Sequence, residues 1–174
     1  MRILIDGRLY GLENAGLGRY LMNLVSELSK LDHKNNYILL LRKKYFDKLD
    51  LPENWRKVLA DFRHYSLAEQ IKIPAIIKRE SPDITHFPHF NVPLLYRGKN
   101  IVTIHDMLMH EFNGLSATTL PEPLYYFKQL VYKFVFAVAV VRAMKIIVPS
   151  KSVKNDLLSH YKLDSRKIEV IYEG

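Results

Sequence analysis

The 174-residue chain has no cysteine. That absence excludes disulfides, thiol nucleophiles and thiolate-held metals, and it fits a cytoplasmic protein. Glycine and proline number only 7 and 8, and no repeat or low-complexity tract is present, so neither a fibrous nor a disordered chain is expected. No Walker A loop, nucleophile elbow or paired-carboxylate signature occurs. Met1 leads straight into an apolar strand, and no secretory signal is expected. The longest apolar segment, Leu130 to Val141, is broken by Lys133 and flanked by Lys128 and Arg142. Its charge-free part falls far short of the roughly 20 residues that span a bilayer. The expectation is a helix buried against a sheet. The alternative is a helix whose Tyr/Phe/Lys face touches lipid head groups, giving a peripheral contact with a membrane's inner face.

What remains is an ordinary globular composition, 48% hydrophobic and 25% charged. The length fits one domain that buries roughly 70% of its unfolded surface. Formal net charge is +8, but Lys and Arg are scattered in twos and threes, as at Arg42-Lys43-Lys44 and Arg166-Lys167. Most of that charge is solvated surface; the remainder suits phosphate-bearing substrates or acidic phospholipid. No helix-turn-helix, zinc-finger or aromatic RNA-binding signature accompanies it, so nucleic acid is not an expected partner.

The opening stretch says most. Arg2 to Asp6 is a short apolar strand. Gly11 to Gly18 is a glycine-rich link, and Leu17 to Leu31 places Leu17, Leu21, Leu24, Val25, Leu28 and Leu31 on one helical stripe. A strand that feeds a helix through glycines brings bare N–H groups and a positive helix end to an anion. Gly16, Leu17 and Gly18 are therefore candidate phosphate-binding residues, expected in a surface loop that accepts a side chain at Gly18 without loss of fold. The spacing is wrong for NAD. Leu21 stands where the third glycine belongs, and Arg42 follows the next strand where an acid would grip the ribose.

Strand and helix then alternate, which predicts an α/β fold: a Rossmann-like, doubly wound, mostly parallel sheet with helices on both faces. Strands are expected at Tyr37 to Leu41, Trp55 to Ala60, Ile84 to Phe87, Asn100 to Asp106, Lys145 to Val148 and Ile168 to Tyr172. Tyr45 to Leu51 reads as a helical turn and Met107 to Leu120 as loop. Ser66-Leu-Ala-Glu69 is a capping box opening a helix to about Glu80, with Pro74 expected to break or kink it near Ile73. Further helices are expected over Leu124 to Ala143 and, capped by Ser150, to His160.

Ligands in open α/β sheets bind outside the carboxyl ends of strands. His105-Asp106 ends one strand; its imidazole either donates to a sugar hydroxyl or phosphate or is satisfied by backbone at the strand end. His86-Phe-Pro-His89 ends another on the same edge; Pro88 excludes a helix and no carboxylate completes a zinc set, so no metal is expected. Asp6 follows the first strand, either facing the cleft or tethering the loop behind it.

Several of these segments, in this order and at these intervals, resemble the N-terminal half of the group 1 (family 4) glycosyltransferases. They are Ile5-Asp-Gly-Arg8 with Ala15-Gly-Leu-Gly-Arg-Tyr20, Arg63 to Gln70, Pro82 to His89, Val102-Thr-Ile-His-Asp106, Ile147-Val-Pro-Ser-Lys-Ser152 and Lys167 to Gly174. The resemblance is nearest to members that build mannose- or rhamnose-containing polysaccharides. It implies a retaining enzyme of GT-B fold, with two Rossmann-like domains facing a cleft. Residues 1–174 would be the acceptor-side domain; the donor-binding C-terminal domain, with its Glu-x7-Glu pair, would lie beyond Gly174. By the same resemblance Gly16, Leu17 and Gly18 approach the donor diphosphate and His105 the transferred sugar, with Asp106 beside it. Asp6, Arg19, Glu69, His86 and His89 fall on the acceptor side. The implied partners are a nucleotide-sugar donor and a glycan or lipid-linked acceptor, with no cofactor, and the chain alone is expected to be inactive. Two rivals stand beside this: a non-catalytic subunit that docks a separate donor-binding chain, and a dinucleotide-binding oxidoreductase domain.

Overall fold

A computed structural model describes residues 1–62, 64–107 and 121–172. In chain order it contains β1 (Arg2–Asp6), α1 (Ala15–Leu31), β2 (Asn36–Leu41), α2 (Lys43–Phe46), β3 (Trp55–Leu59) and α3 (Leu67–Glu80). Then follow β4 (Ile84–Phe87), β5 (Asn100–Thr103), α4 (Glu122–Arg142), β6 (Lys145–Val148), α5 (Lys151–His160) and β7 (Ile168–Val170). The strands form one seven-stranded sheet in the order β3-β2-β1-β4-β5-β6-β7. Every pairing in it is parallel. The chain winds outward from β1 to one edge, then returns to lay β4 on β1's other side. That reversal leaves a crevice at the carboxyl ends of β1 and β4.

Alternation along the strands builds the two faces. Leu4, Ile38, Leu40 and Val58 pack with Ile73 and Ile77 of α3, Phe136, Ala139 and Val140 of α4 and Leu157 of α5. Ile5, Tyr37, Leu39, Leu41 and Trp55 pack with Leu21 and Val25 of α1. Leu39, Leu40 and Leu41 are all fully buried, so an unbroken apolar run marks a strand covered on both sides.

Most differences from expectation lie at element ends. The strand at Asn100 stops at Thr103, leaving His105 and Asp106 beyond it, although the Ile104 N–H still bonds the Ile147 carbonyl at 2.9 Å. The helical turn is Lys43–Phe46, earlier than Tyr45 to Leu51. Pro74 does not end α3. Its ring removes one backbone bond, but Ile73 and Ile77 on either side are sealed in the core and hold the helix through it. Met107 is buried; the rest of the loop expected before Leu120, with Arg63 and Glu173-Gly174, falls outside the described residues.

The main correction of packing concerns α4. It buries only Phe136, Ala139 and Val140 against the sheet, while Leu124, Phe127, Leu130, Val131, Phe134 and Val141 face outward.

Candidate functional site

At the crevice between β1 and β4 the chain buries a set of charges. Arg8 is only 1% exposed. Its Nε donates to Asp6 Oδ1 at 2.8 Å, and its Nη2 donates both to Asp6 Oδ2 and to Glu69 Oε1 at 2.6 Å. Glu69, itself fully buried, also accepts from Asn91 Nδ2 at 2.9 Å and from the Tyr65 backbone N–H at 2.7 Å. His64 Nδ1 lies 3.4 Å from the same carboxylate. Burial pushes both carboxyls up, but the Arg8 guanidinium, joined at Glu69 by His64 and Asn91, more than offsets it, and both stand below the ordinary range. Burial likewise opposes the Arg8 charge, and the two carboxylates more than restore it. The cluster ties the end of β1, the start of α3 and the loop after β4 into one unit.

Beside it stand two neutral imidazoles. His86 shares a 2.8 Å hydrogen bond through Nε2 with Thr103 Oγ1, and His89 Nδ1 accepts from the Asn91 N–H at 3.3 Å. Burial, then the nearby His105 charge, lowers His86 to about 4. Burial, then the His64 and His105 charges, lowers His89 to about 4. Both rings are therefore neutral near pH 7. Among the described residues no three His, Asp or Glu are grouped to hold a metal ion.

Farther along the same edge the surface opens. Gly16, Arg19 and Tyr20 of α1, with Thr103, Ile147, Pro149, Ile171 and Tyr172, line a cleft of about 370 Å³. His105, half-buried, meets the Tyr20 ring edge-on at 4.8 Å, and its Nε2 lies 3.0 Å from the Pro88 carbonyl. Tyr20 reaches Thr103 Oγ1 at 3.3 Å, so the ring that steadies His105 is itself fixed to β5. Asp106 is exposed.

The glycines part company here. A short 3-10 turn, Leu12–Asn14, precedes α1, so Gly16, Leu17 and Gly18 lie in the first turn of the helix rather than in a loop before it. The Asn14 side chain caps none of the first N–H groups. Gly16 is exposed, with nothing within 4 Å of where a Cβ would stand. Gly18 is buried, and a Cβ there would collide with the Gly11 carbonyl oxygen. Close backbone packing, not ligand approach, is what Gly18 supplies, and the expectation that it accepts a side chain is wrong.

Of the residues singled out from sequence, Asp6, Glu69, His86 and His89 gather in the closed crevice. Gly16 and Arg19 line the open cleft, and His105 stands behind Tyr20, one of its walls. The capping box is half right: Ser66 Oγ accepts the Glu69 N–H at 3.2 Å, but the Glu69 carboxylate turns inward to Arg8. Arg8, Asn91, Tyr20 and Thr103 were missed as site residues. An acid and an arginine two apart at a strand end could have flagged Arg8. Nothing in the local pattern marks Asn91.

The sequence profile described as Glycosyltransferase Family 4 matches residues 14–174. The chain belongs to this family. No curated protein matches it in sequence. Among solved structures, the family 4 chain is similar to the wall teichoic acid polymerase TagF, at 16% identity and a TM-score of 0.58, over 98% of this chain and 38% of that one. It is also similar to a glycosyltransferase from Rickettsia africae ESF-5, at 22% identity and a TM-score of 0.54, over 99% of this chain and 43% of that one. At such identities the likeness establishes the fold, the Rossmann-like α/β domain of GT-B glycosyltransferases. The chain spans about two fifths of the length of these structures.

Proposed function

We propose that this family 4 glycosyltransferase chain is the acceptor-side domain of a retaining enzyme that moves a sugar from a nucleotide-sugar donor to a glycan or lipid-linked acceptor in polysaccharide or cell-envelope synthesis. The observation that carries this is the meeting, on one sheet edge, of an uncapped helix start at Gly16 with a ring-braced His105 and the crevice of Asp6, His86 and His89. Cleaving the anomeric bond leaves negative charge on the diphosphate and positive charge on the sugar. Catalysis is then mainly positioning and stabilisation of the phosphate. The first-turn N–H groups around Gly16 supply donors and a positive helix end, so no metal or cofactor is needed on this side. His105, with Asp106 beside it, meets the transferred sugar. Arg19, on the same helix face as Gly16, faces the bound substrates, and half-buried His89 offers its uncharged ring to the acceptor while buried His86 stays bonded to Thr103.

The donor's nucleotide belongs to a second domain, so the 174 residues alone do not transfer sugar. In the assay, full-length protein converts a labelled nucleotide sugar into glycan or lipid product, and the isolated 174 residues yield none. Product from the short chain would overturn the division of labour. No product from the full-length protein across a panel of donors and acceptors would overturn the transferase reading.

A further inference from the structure

Besides the crevice and the cleft, a hollow of about 310 Å³ opens at the carboxyl ends of β1, β2 and β3. Its walls come from the link after β1, from Arg42, Lys43 and Lys44 after β2, and from Asp61 after β3. This is the edge at which open α/β sheets bind ligands. Arg8 lines the hollow as well. Its guanidinium gives Nε and one Nη2 hydrogen to Asp6, and the other Nη2 hydrogen to Glu69. Neither carboxylate lines the hollow. Nη1, the remaining corner of the planar fork, is buried and has no hydrogen-bond partner. Donors left unused in a residue only 1% exposed cost free energy until an acceptor reaches them.

The charges around it select the acceptor. Asp6 and Glu69 already balance Arg8, so Arg8 brings donors rather than net charge. At the rim, Arg42 pairs with Asp61 at 3.2 Å and Lys44 with Glu13 at 2.9 Å, all four side chains exposed. Lys43 has no carboxylate partner among the described residues, and it leaves the rim with a positive surplus. The Asn14 side chain, which caps no N–H of α1, lines the same wall. Tyr10 and Tyr45 meet edge-on at 5.3 Å and give the hollow an aromatic side on which the C–H face of a sugar can pack. We propose that this hollow is an acceptor subsite for an oxyanion, phosphate or carboxylate, carried by the acceptor glycan, with Arg8 Nη1, Arg42 and Lys43 as its donors. Nη1 is covered from solvent, and the anion reaches it as the exposed side chains of the wall shift, which costs little for surface ion pairs.

Position assigns the anion to the acceptor rather than the donor. The donor phosphates belong to the Gly16 end of the cleft, whose far wall is Thr103 and Ile147 of β5 and β6, and the hollow lies the other way, over β2 and β3. Asp6 lines the crevice and Arg8 the hollow, so the two places stand on either side of one buried ion pair. A glycan with one unit beside His89 reaches the hollow with a neighbouring, charged unit. The anion site itself rests on the hollow; its service to an acceptor rests on the transferase reading.

The test titrates full-length protein with a mannose phosphate, a glucuronic acid disaccharide and an uncharged mannose disaccharide. At least one charged probe is expected to bind about tenfold more tightly than the uncharged one, and the better of the two names the oxyanion. That binding should fall with added salt and weaken about fivefold for each of Arg42→Gln and Lys43→Gln, and further for Lys43→Glu. Both positions are exposed, so Tm should hold. Equal binding of charged and uncharged probes, no binding of either charged probe at low salt, or charged-probe binding unchanged in all three variants would overturn the proposal. In transfer assays the variants should raise KM for a charged acceptor more than they lower kcat, with donor KM steady. A rise in donor KM instead would place the anion on the donor and overturn the acceptor subsite. Charged-probe binding that the variants weaken, with no sugar transfer by the wild type, would count against the transferase reading and leave the anion site standing. Sugar transfer indifferent to acceptor charge and to the variants would do the reverse.

Discussion

Two neighbouring places on the same sheet edge are built on opposite principles. Beneath the β1/β4 crevice, Asp6, Arg8 and Glu69 are charged and sealed from water. Over β5 and β6, the cleft is walled by backbone at Gly16, by Arg19, Asn23 and Glu27 of α1, and by aromatic and apolar side chains, and it is open. Charge in the first place is paired internally, although Arg8 Nη1 is buried without a partner, and the pairing serves to fix three segments relative to one another. Hydrogen-bonding capacity in the second is left at a helix start, where a ligand can use it. A charged residue in a family motif is thus not by itself a ligand contact; its burial and its partners decide.

The sharpest way to break this contrast is Arg8→Ala. It leaves two buried carboxylates without their guanidinium, and losing one partner of a buried ion pair costs about 3–5 kcal/mol. Chemical denaturation at pH 7 should show a loss of that order. pH separates this from a simple cavity. In the wild type both carboxyls stand below their ordinary values, so their contribution is present above about pH 4 and vanishes as pH falls through the native values. Without Arg8, burial is opposed by His64 and, at Glu69, by Asn91 but no longer by the guanidinium, so both carboxyls shift upward from their wild-type values and protonation relieves the variant. The gap to wild type should narrow as pH drops from 7 toward 4. A gap constant with pH would mean that Arg8 is only filling space.

Gly18→Ala comes next. Its methyl meets the Gly11 carbonyl, a main-chain atom that cannot swing away, and overpacking of this kind costs about 1–3 kcal/mol. A Tm equal to wild type would show that α1 and the Gly11 turn are not in close contact.

His105→Ala tests the open side. The wild-type ring meets Tyr20 of the cleft wall and lies by the carbonyl of Pro88, which lines the crevice. Removing one directed hydrogen bond that is stronger in the transition state costs about 1–3 kcal/mol, roughly tenfold to a hundredfold in kcat. In full-length enzyme, kcat should fall more than donor KM rises, with Tm near wild type. Lower Tm and normal turnover per folded molecule would make His105 a structural residue.

The strands and their faces were legible because burial on both sides leaves a plain mark: Tyr37 to Leu41 has no polar residue. The parallel order followed from strand–helix alternation, and the ends of the elements did not, because one hydrogen bond at Ile104 or Ile171 decides them. Site residues at strand ends were found by position. Their pairing was not, since the Arg8–Glu69 contact joins positions 61 apart and local spacing carries no sign of it. The outward face of α4 was hidden for a related reason: a run rich in Phe, Val and Leu does not say which side meets the sheet.

Gly16→Ala should have the smallest effect and gives the finest comparison, because it lies two residues from Gly18 on the same helix. Nothing stands within 4 Å of the added methyl, so the fold has no reason to object. Alanine also loses less backbone freedom in a helix than glycine, which favours the variant by up to about 1 kcal/mol. Tm should be equal to wild type or slightly higher. If donor phosphate approaches the N–H groups here, the same methyl stands in its path and weakens ground state and transition state alike. Donor KM should then rise a few-fold with kcat little changed. A variant with raised Tm and wild-type KM would remove Gly16 from the donor site and leave it a helix-start glycine with no ligand to serve.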